Sequence, residues 1–157
     1  MDIFTQIFGE PKRDYQEPDL SPTVQLHFLE FLETYDGDHN LYIVHCPIHT
    51  LYVGISQNGI KSRWFYQPDS HMHFIQKYSG TKDGGKWIGF SPIGKAVSAN
   101  FPVSLQWRIE LRHYRTANLH EMERFHIREL RPLFNKTYRD NLTNEEMQIR
   151  RSIEKGL

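Results

Sequence analysis

The sequence predicts a small mixed α/β (α+β) domain in which a three-stranded, mostly antiparallel sheet is flanked by helices. Two short β-rich runs, 41–45 and 51–55, lie on either side of Pro47, close enough together to form an antiparallel hairpin. A third run, 103–112, alternates apolar and polar side chains with period two. Segments of helical periodicity surround these strands, so we expect the order α, β, β, α, α, β, α, α.

An acidic amphipathic helix is predicted before the first strand. Ser21 and Pro22 have the residue types of an N-cap and a first helical position, and the helix is expected to end near Gly37. Its apolar stripe must be buried, so we expect it to pack on the basic remainder of the chain. The stripe consists of Val24, Phe28, Phe31, Leu32 and Tyr35.

Four further helices are predicted from caps and helix breakers. One resumes after Gly59, carries Ile60, Arg63 and Trp64 on one face, and is closed by Pro68. The second begins at Ser91 and Pro92. The third runs from about His120 to Arg131 and ends before Pro132. The fourth begins at the capping-box pair Thr143 and Glu146 and continues through Lys155.

The composition is that of one folded domain. The chain has 157 residues, 38% hydrophobic and 24% charged. A mean hydropathy of -0.63 and the lack of an apolar run near 18 residues exclude a membrane-spanning helix, and the acidic start lacks the order of a secretory signal. We therefore expect a cytoplasmic protein with no membrane partner. Its one cysteine, Cys46, cannot form an internal disulfide.

The charge is divided unevenly along the chain. Residues 1–40 contain 2 Lys or Arg and 9 Asp or Glu, whereas residues 41–157 contain 17 and 10. This asymmetry points to a polyanionic partner for the basic part. We expect three regions: an acidic extension with one helix at 1–39, a core at 40–138, and a basic C-terminal helix at 139–157.

A carboxylate heads the apolar stripe of the helix near position 123. Glu123 shares this stripe with Ile127, Leu130 and Phe134, while arginines occupy the opposite surface. A buried anion costs several kcal/mol unless a cation or a metal meets it. The interpretations are a snorkelling glutamate, a core salt bridge with Arg63, and a metal ligand.

The predicted hairpin carries two phenols, Tyr42 and Tyr52, followed by Gly54. The missing side chain at Gly54 lets another group approach the backbone closely. Each of these features alone is common in packed strands.

Taken together and in order, these residues resemble the GIY-YIG nuclease family over roughly residues 40–138. The two half-motifs lie at 41–43 and 52–54, and an Arg-Trp pair follows at 63–64. Glu123 corresponds to the glutamate on the family's later helix, and residues 132–135 correspond to its P-x-x-N element. Two positions depart from the pattern. The first half-motif lacks its glycine, since Asn40 and Leu41 precede Tyr42, and Val53 replaces an isoleucine.

The resemblance implies a metal-dependent DNA endonuclease. Glu123 would bind one Mg²⁺ or Mn²⁺ ion, and Tyr52 or Tyr42, its pKa lowered by the ion or a nearby cation, would orient or deprotonate the attacking water. Arg63 would hold the phosphate with Lys61 as a helper. Asn135 would position the phosphate or the Glu123 helix.

The resemblance also implies residues around the substrate. Gly54 would admit a close approach, and the loop 79–86 would meet a groove or the backbone of DNA. Many family members carry a His or Tyr one helical turn after the Arg, at what is Gln67 here. Tyr66, His71 and His73 are the candidates for that role.

Several alternatives remain open on the sequence alone. The chain could be a non-enzymatic DNA-binding module on the same scaffold, and the acidic N-terminal helix could cover the basic cleft. One active site cuts one strand, so double-strand cleavage requires a homodimer or two successive events. A less favoured hypothesis is a zinc site built from His45, Cys46, His49, His71 and His73.

Overall fold

The computed structural model describes residues 13–16, 28–76, 85–100 and 106–156. Its strands are β1 (Arg13–Gln16), β2 (Leu41–His45), β3 (Thr50–Ile55), β4 (Met72–Gln76), β5 (Gly85–Gly89) and β6 (Arg108–Tyr114). Its α-helices are α1 (Phe28–Glu33), α2 (Pro92–Ala99), α3 (Leu119–Leu130) and α4 (Asn144–Lys155). A π-helical segment spans Ser62–Tyr66. No helix among these residues is long and apolar enough to cross a membrane.

The predicted three-stranded antiparallel sheet is confirmed. β2 lies between β3 and β6, and in this register Tyr42 faces Gly54 on one side and Leu111 on the other. β1 adds a fourth strand at the β6 edge, pairing Arg13 with Tyr114. The mixed α and β class predicted from the sequence is therefore present.

Further details differ from the prediction, and the first of them is that α1 ends at Glu33 and not near Gly37. The third strand begins at Arg108 and ends at Tyr114, while positions 103–105 of the predicted strand lie outside the described residues. The segment after Gly59 is a π-helical turn closed by a Gln67 N–H bond to the Ser62 carbonyl, 3.0 Å, rather than an α-helix. The pair β4–β5 was not predicted from the sequence.

Both faces of the sheet are buried. On one face the side chains of Tyr42, Val44, Ile109 and Leu111 join the main core with residues of α1, α2, α4 and the π-helical segment. On the other face Leu41, Ile43, Val53 and Tyr114 pack against α3. On the polar side of β6, Glu110 is buried under this cover, Arg112 is half-buried and Arg108 is exposed.

The acidic helix α1 is part of the main core. Phe28, Leu29 and Leu32 are buried in it, and the Phe28 ring meets Trp64 edge-on at 5.4 Å between centroids. The predicted start at Ser21 and Pro22, and Val24 with it, lies outside the described residues. A truncation that removes residues 1–38 would therefore remove core side chains along with any cover over the cleft.

The predicted helix caps at Ser91 and Thr143 are confirmed. Ser91 accepts a bond from the Gly94 N–H at 3.1 Å, with Pro92 in the first turn of α2. Thr143 and Glu146 form both bonds of a capping box at α4. α3 ends at Arg131, which adopts a left-handed φ of 48° just before Pro132.

Candidate active site

The ring of Tyr42 crosses β3 at Gly54. A Cβ built on Gly54 would lie 2.4 Å from both the Cζ and the Oη of Tyr42, closer than any real contact. The close approach expected at Gly54 is therefore made by a tyrosine of the same chain. Gly54 shapes the site by admitting this ring.

A chain of hydrogen bonds links β2 to the start of α2. The Tyr42 hydroxyl lies 2.6 Å from His71 Nε2, and His71 Nδ1 lies 2.6 Å from Ser91 Oγ. A neutral imidazole has one N–H, so either Tyr42 donates to His71 and His71 to Ser91, or both bonds run the other way. In both arrangements the buried Tyr42 hydroxyl is held in one place.

His71 is a neutral imidazole in this setting. Burial, aided by the charge of Arg63, lowers its pKa from 6.5 to about 3. The Phe90 N–H also bonds to the His71 carbonyl at 2.9 Å, which fixes the backbone at this residue.

Tyr52 lies beside Tyr42. The two rings are 6.1 Å apart between centroids, and the edge of His71 meets Tyr52 at 5.1 Å. Burial raises the pKa of Tyr52 and raises that of Tyr42 well above 10, while Arg63 offsets only part of the effect. In the ion-free protein desolvation therefore outweighs the one nearby cation, and the lowering of a phenol pKa by a bound metal ion stays a prediction.

Arg63 stands on the π-helical segment. Its Nη1 donates to the Asp69 carbonyl and lies 3.7 Å from the carboxylate of Asp69, whose side chain is 80% exposed. The charge of Arg63 also acts on the pKa of four groups from other elements. They are Tyr42, Tyr52, His71 and Glu123. We call these four residues and Arg63 the Arg63 cluster.

Glu123 reaches the cluster from α3. Its side chain is 18% exposed, and its nearest cationic partner is His120 Nδ1 at 4.0 Å. Burial raises the pKa of Glu123, and the charges of His120, Arg124 and Arg63 offset part of this. Arg63 pairs with Asp69 instead of forming the core salt bridge that was one interpretation of Glu123.

No protein-family model matches the chain. No curated protein and no solved structure matches it significantly. The function is therefore inferred from the geometry of these side chains.

Asn135 acts on the edge of β3. Its Oδ1 accepts the Val53 N–H and its Nδ2 donates to the Val53 carbonyl, both at 2.9 Å. The amide thus replaces a neighbouring strand at this position. Of the two roles implied for Asn135, the positioning of the segment after the Glu123 helix agrees with these buried bonds.

The remaining predicted residues lie outside the cluster. Lys61 Nζ donates to the Glu33 carbonyl, which ties the π-helical segment to α1. Tyr66 is exposed, and the exposed His73 contacts the Phe90 ring at 5.6 Å between centroids. Of the three candidates for the family's extra His or Tyr, His71 is the one that touches Tyr42.

A metal ion bound at this site would have one carboxylate ligand, Glu123. Within the described part of the chain, no group of three or more His, Cys, Asp or Glu side chains is placed to hold an ion. A hard cation that keeps several waters and also binds a substrate phosphate needs only one protein carboxylate. Glu123 would hold such an ion, and the grouping suggested for zinc is not formed by these residues.

A second polar network lies on the α3 side of the sheet and was not foreseen. The buried Glu110 is paired with His45 at 2.9 Å and with Arg112 at 2.7 Å. Arg112 continues to the Tyr114 hydroxyl at 3.1 Å, which lies 2.9 Å from His126 Nε2. The one sequence feature that could have indicated it is the Glu and Arg at alternate positions of the third strand.

Proposed function

We propose that this protein is a metal-dependent endonuclease that hydrolyses DNA phosphodiester bonds through a GIY-YIG type of active site. The observation that supports this most is the Arg63 cluster. In it the Tyr42 hydroxyl lies 2.6 Å from His71, the Tyr52 ring lies 6.1 Å from Tyr42 and 5.1 Å from His71 between centroids, and the charges of Arg63 and Glu123 act on both phenols. This is the composition that phosphodiester hydrolysis requires: a phosphate clamp, a water-orienting group and a cation ligand.

Arg63 would hold the scissile phosphate. In the free protein it rests on Asp69, whose exposed carboxylate contributes little binding energy through a 3.7 Å contact. A phosphate can replace that partner and accept two parallel N–H bonds from the guanidinium. The same positive charge then stabilises the negative charge that grows during the reaction.

Tyr52 is the phenol better placed to meet water. It is half-buried, whereas Tyr42 is fully buried behind it and bonded to His71. We therefore assign Tyr52 as the group that orients the attacking water and Tyr42 as a positioning residue. In the ion-free protein burial raises the pKa of both phenols, which favours their neutral forms.

Glu123 would hold the divalent cation, Mg²⁺ or Mn²⁺. Such an ion, when bound, supplies Lewis-acid stabilisation of the phosphate oxygens. In the reaction the water oxygen bonds to phosphorus and one bridging P–O bond breaks. The proton of the attacking water passes to solvent and the departing oxygen takes one from water, so the net reaction consumes one water molecule.

The charge distribution agrees with DNA as the substrate. Residues 41–157, which supply every side chain of the Arg63 cluster, contain 17 Lys or Arg against 10 Asp or Glu. Contacts from lysine and arginine to phosphate supply sequence-independent affinity for nucleic acid.

Cleavage of supercoiled plasmid tests the proposal. Wild type, Glu123→Ala and Glu121→Ala are compared in Mg²⁺, Mn²⁺ and EDTA. Glu121 is the matched control, because it lies two residues away on α3 and pairs with Arg124 at 3.2 Å. We expect metal-dependent nicking by wild type and Glu121→Ala and a loss of at least 100-fold in Glu123→Ala. DNA binding by all three without cleavage by any would instead identify a non-enzymatic binding module.

A further inference from the structure

The β4–β5 pair forms a ribbon beside the Arg63 cluster. Among the described residues its strands pair with each other and are separate from the main sheet. β4 begins immediately after His71, and β5 leads through Phe90 to Ser91, so the two residues bonded to each other in the cluster flank the ribbon. The base of the ribbon is thereby fixed relative to Arg63.

Aromatic rings form a row from the π-helical segment to the ribbon. The Phe65 ring lies 6.3 Å from Tyr66 and stacks on Trp87 at 4.6 Å, and Phe74 meets Trp87 edge-on at 5.1 Å. We call Tyr66, Phe65, Trp87 and Phe74 the ring row. Its two inner rings are half-buried and pack against the main core, so the row has a fixed base.

The outer rings of the row are open to solvent. Tyr66 is 71% and Phe74 is 42% exposed. Ile75 and Phe90 of the ribbon are exposed as well, so four of the eight large apolar side chains exposed in the described part of the chain are gathered here. A concentration of this kind beside a site indicates a surface that is covered by a partner.

The composition of the chain segment that carries the ring row favours one kind of partner. Residues 60–100 contain six Lys or Arg and two Asp, and no Glu. An excess of positive charge favours a polyanion over an apolar protein surface. Nucleic acid bases stack on aromatic side chains when they are unpaired, since the faces of paired bases are already stacked inside the duplex.

We infer that the ring row binds unpaired bases next to the phosphate held by Arg63, so the substrate class is DNA with a single-stranded or unpaired segment at the cleavage point. This inference rests on the proposed function for the identity of the bound phosphate. Tyr66 and Arg63 belong to the same five-residue π-helical segment, so the row begins on the element that carries the proposed phosphate ligand.

Binding without cleavage tests the inference. Full-length protein carrying Glu123→Ala is titrated by fluorescence anisotropy against three probes of one sequence: a single strand, a perfect duplex and a duplex with a central unpaired bubble. We expect the bubble and the single strand to bind at least 10-fold more tightly than the duplex. Tyr66→Ala and Phe74→Ala should each weaken bubble binding about 5-fold or more, as expected for the loss of one stacked base.

Two control variants separate stacking from general effects. Tyr66→Phe keeps the ring and should bind as the parent does. Ile48→Ala removes an apolar side chain that is 78% exposed but lies in the turn between β2 and β3, and it should leave binding unchanged. Each variant replaces an exposed side chain, and its melting temperature confirms that it is folded.

The outcomes distinguish this inference from the proposed function. Equal binding of duplex and bubble, or equal losses on both probes in the ring variants, would overturn the inference even if wild type cuts DNA. If unpaired DNA binds in a way that depends on the ring row but wild type never cuts DNA, the binding surface is supported and the proposed nuclease function is overturned. No binding to any probe would overturn the inference and leave a protein partner as the occupant of the ring row.

Discussion

The Tyr42 ring occupies the space that a side chain at residue 54 would need. A Cβ on Gly54 would lie 2.4 Å from the Tyr42 Cζ. The packing of Tyr42 therefore depends on Gly54. Because Gly54 has no side chain, the Tyr42 ring can lie across β3 and place its hydroxyl against His71.

Gly54→Ala should destabilise the protein by about 1–3 kcal/mol, because the buried ring must shift within a packed core. Urea unfolding monitored by circular dichroism measures the loss. The control is the double variant with Tyr42→Ala, in which the ring is absent and the added methyl group has room. The double variant should lose less free energy of unfolding than the two single variants lose together. A loss equal to that sum would contradict the clash between the added methyl group and the Tyr42 ring.

Glu123→Gln should raise stability at neutral pH while it abolishes cleavage. A carboxyl pKa raised by burial means that the folded state favours the protonated form, so stability declines as pH rises through that pKa. The amide cannot ionise, and we expect it to gain about 1 kcal/mol, or about 3 °C in Tm, at pH 7.5.

Thermal melts with and without Mg²⁺ complete this prediction. The ion should raise the Tm of wild type and leave that of Glu123→Gln unchanged. Glu121→Gln serves as the control on the same helix and should behave as wild type. If Glu123→Gln melts below wild type at pH 7.5, then neighbouring positive charges already offset the cost of burying the Glu123 carboxylate in the ion-free protein.

His71 should remain neutral down to about pH 4. Its pKa is lowered to about 3, whereas a histidine of the unfolded chain takes up a proton near 6.5. The contribution of His71 to stability is therefore complete above pH 6.5 and declines as pH falls from 6.5 toward 3. Imidazole nitrogen chemical shifts followed by NMR from pH 8 to pH 4 report this state. A titration midpoint near 6.5 would contradict the buried, hydrogen-bonded position.

Glu110→Gln should destabilise the protein by about 2–3 kcal/mol at pH 7. Burial alone would raise the pKa of Glu110, but bonds from His45 and Arg112 outweigh it and lower the pKa from 4.5 to about 2. The stabilisation is present above pH 4.5 and is lost as pH falls toward 2, so the difference between wild type and variant should narrow over that range.

Urea unfolding at pH 7 and pH 3 measures how far the difference in free energy of unfolding between wild type and Glu110→Gln decreases. Glu154→Gln is the matched control, since that exposed carboxylate pairs with Arg150 within α4 and should contribute less than about 1 kcal/mol. A difference between wild type and Glu110→Gln that stays constant with pH would show that the buried ion pairs are not the source of the stability.

Local features of the fold were predictable because they depend on neighbours in the chain. The caps at Ser91 and at Thr143 with Glu146 use residues three apart, and the β2–β3 hairpin is formed by consecutive runs. The β4–β5 ribbon and the π-helical turn were not predictable in the same way. The pairing of short strands depends on their packing context, and π-helical turns are rare.

The sequence by itself determined the class of fold, the strand pairing of the hairpin and the residue types of the candidate site. Only the tertiary structure decided that Tyr42 bonds to His71 across 29 positions, that Arg63 pairs with Asp69 rather than Glu123, and that the phenols are raised in pKa. Spacing and composition carry no information on which distant groups meet or on how completely water is excluded. Desolvation and charge proximity, which set the chemistry of a site, arise when the chain packs.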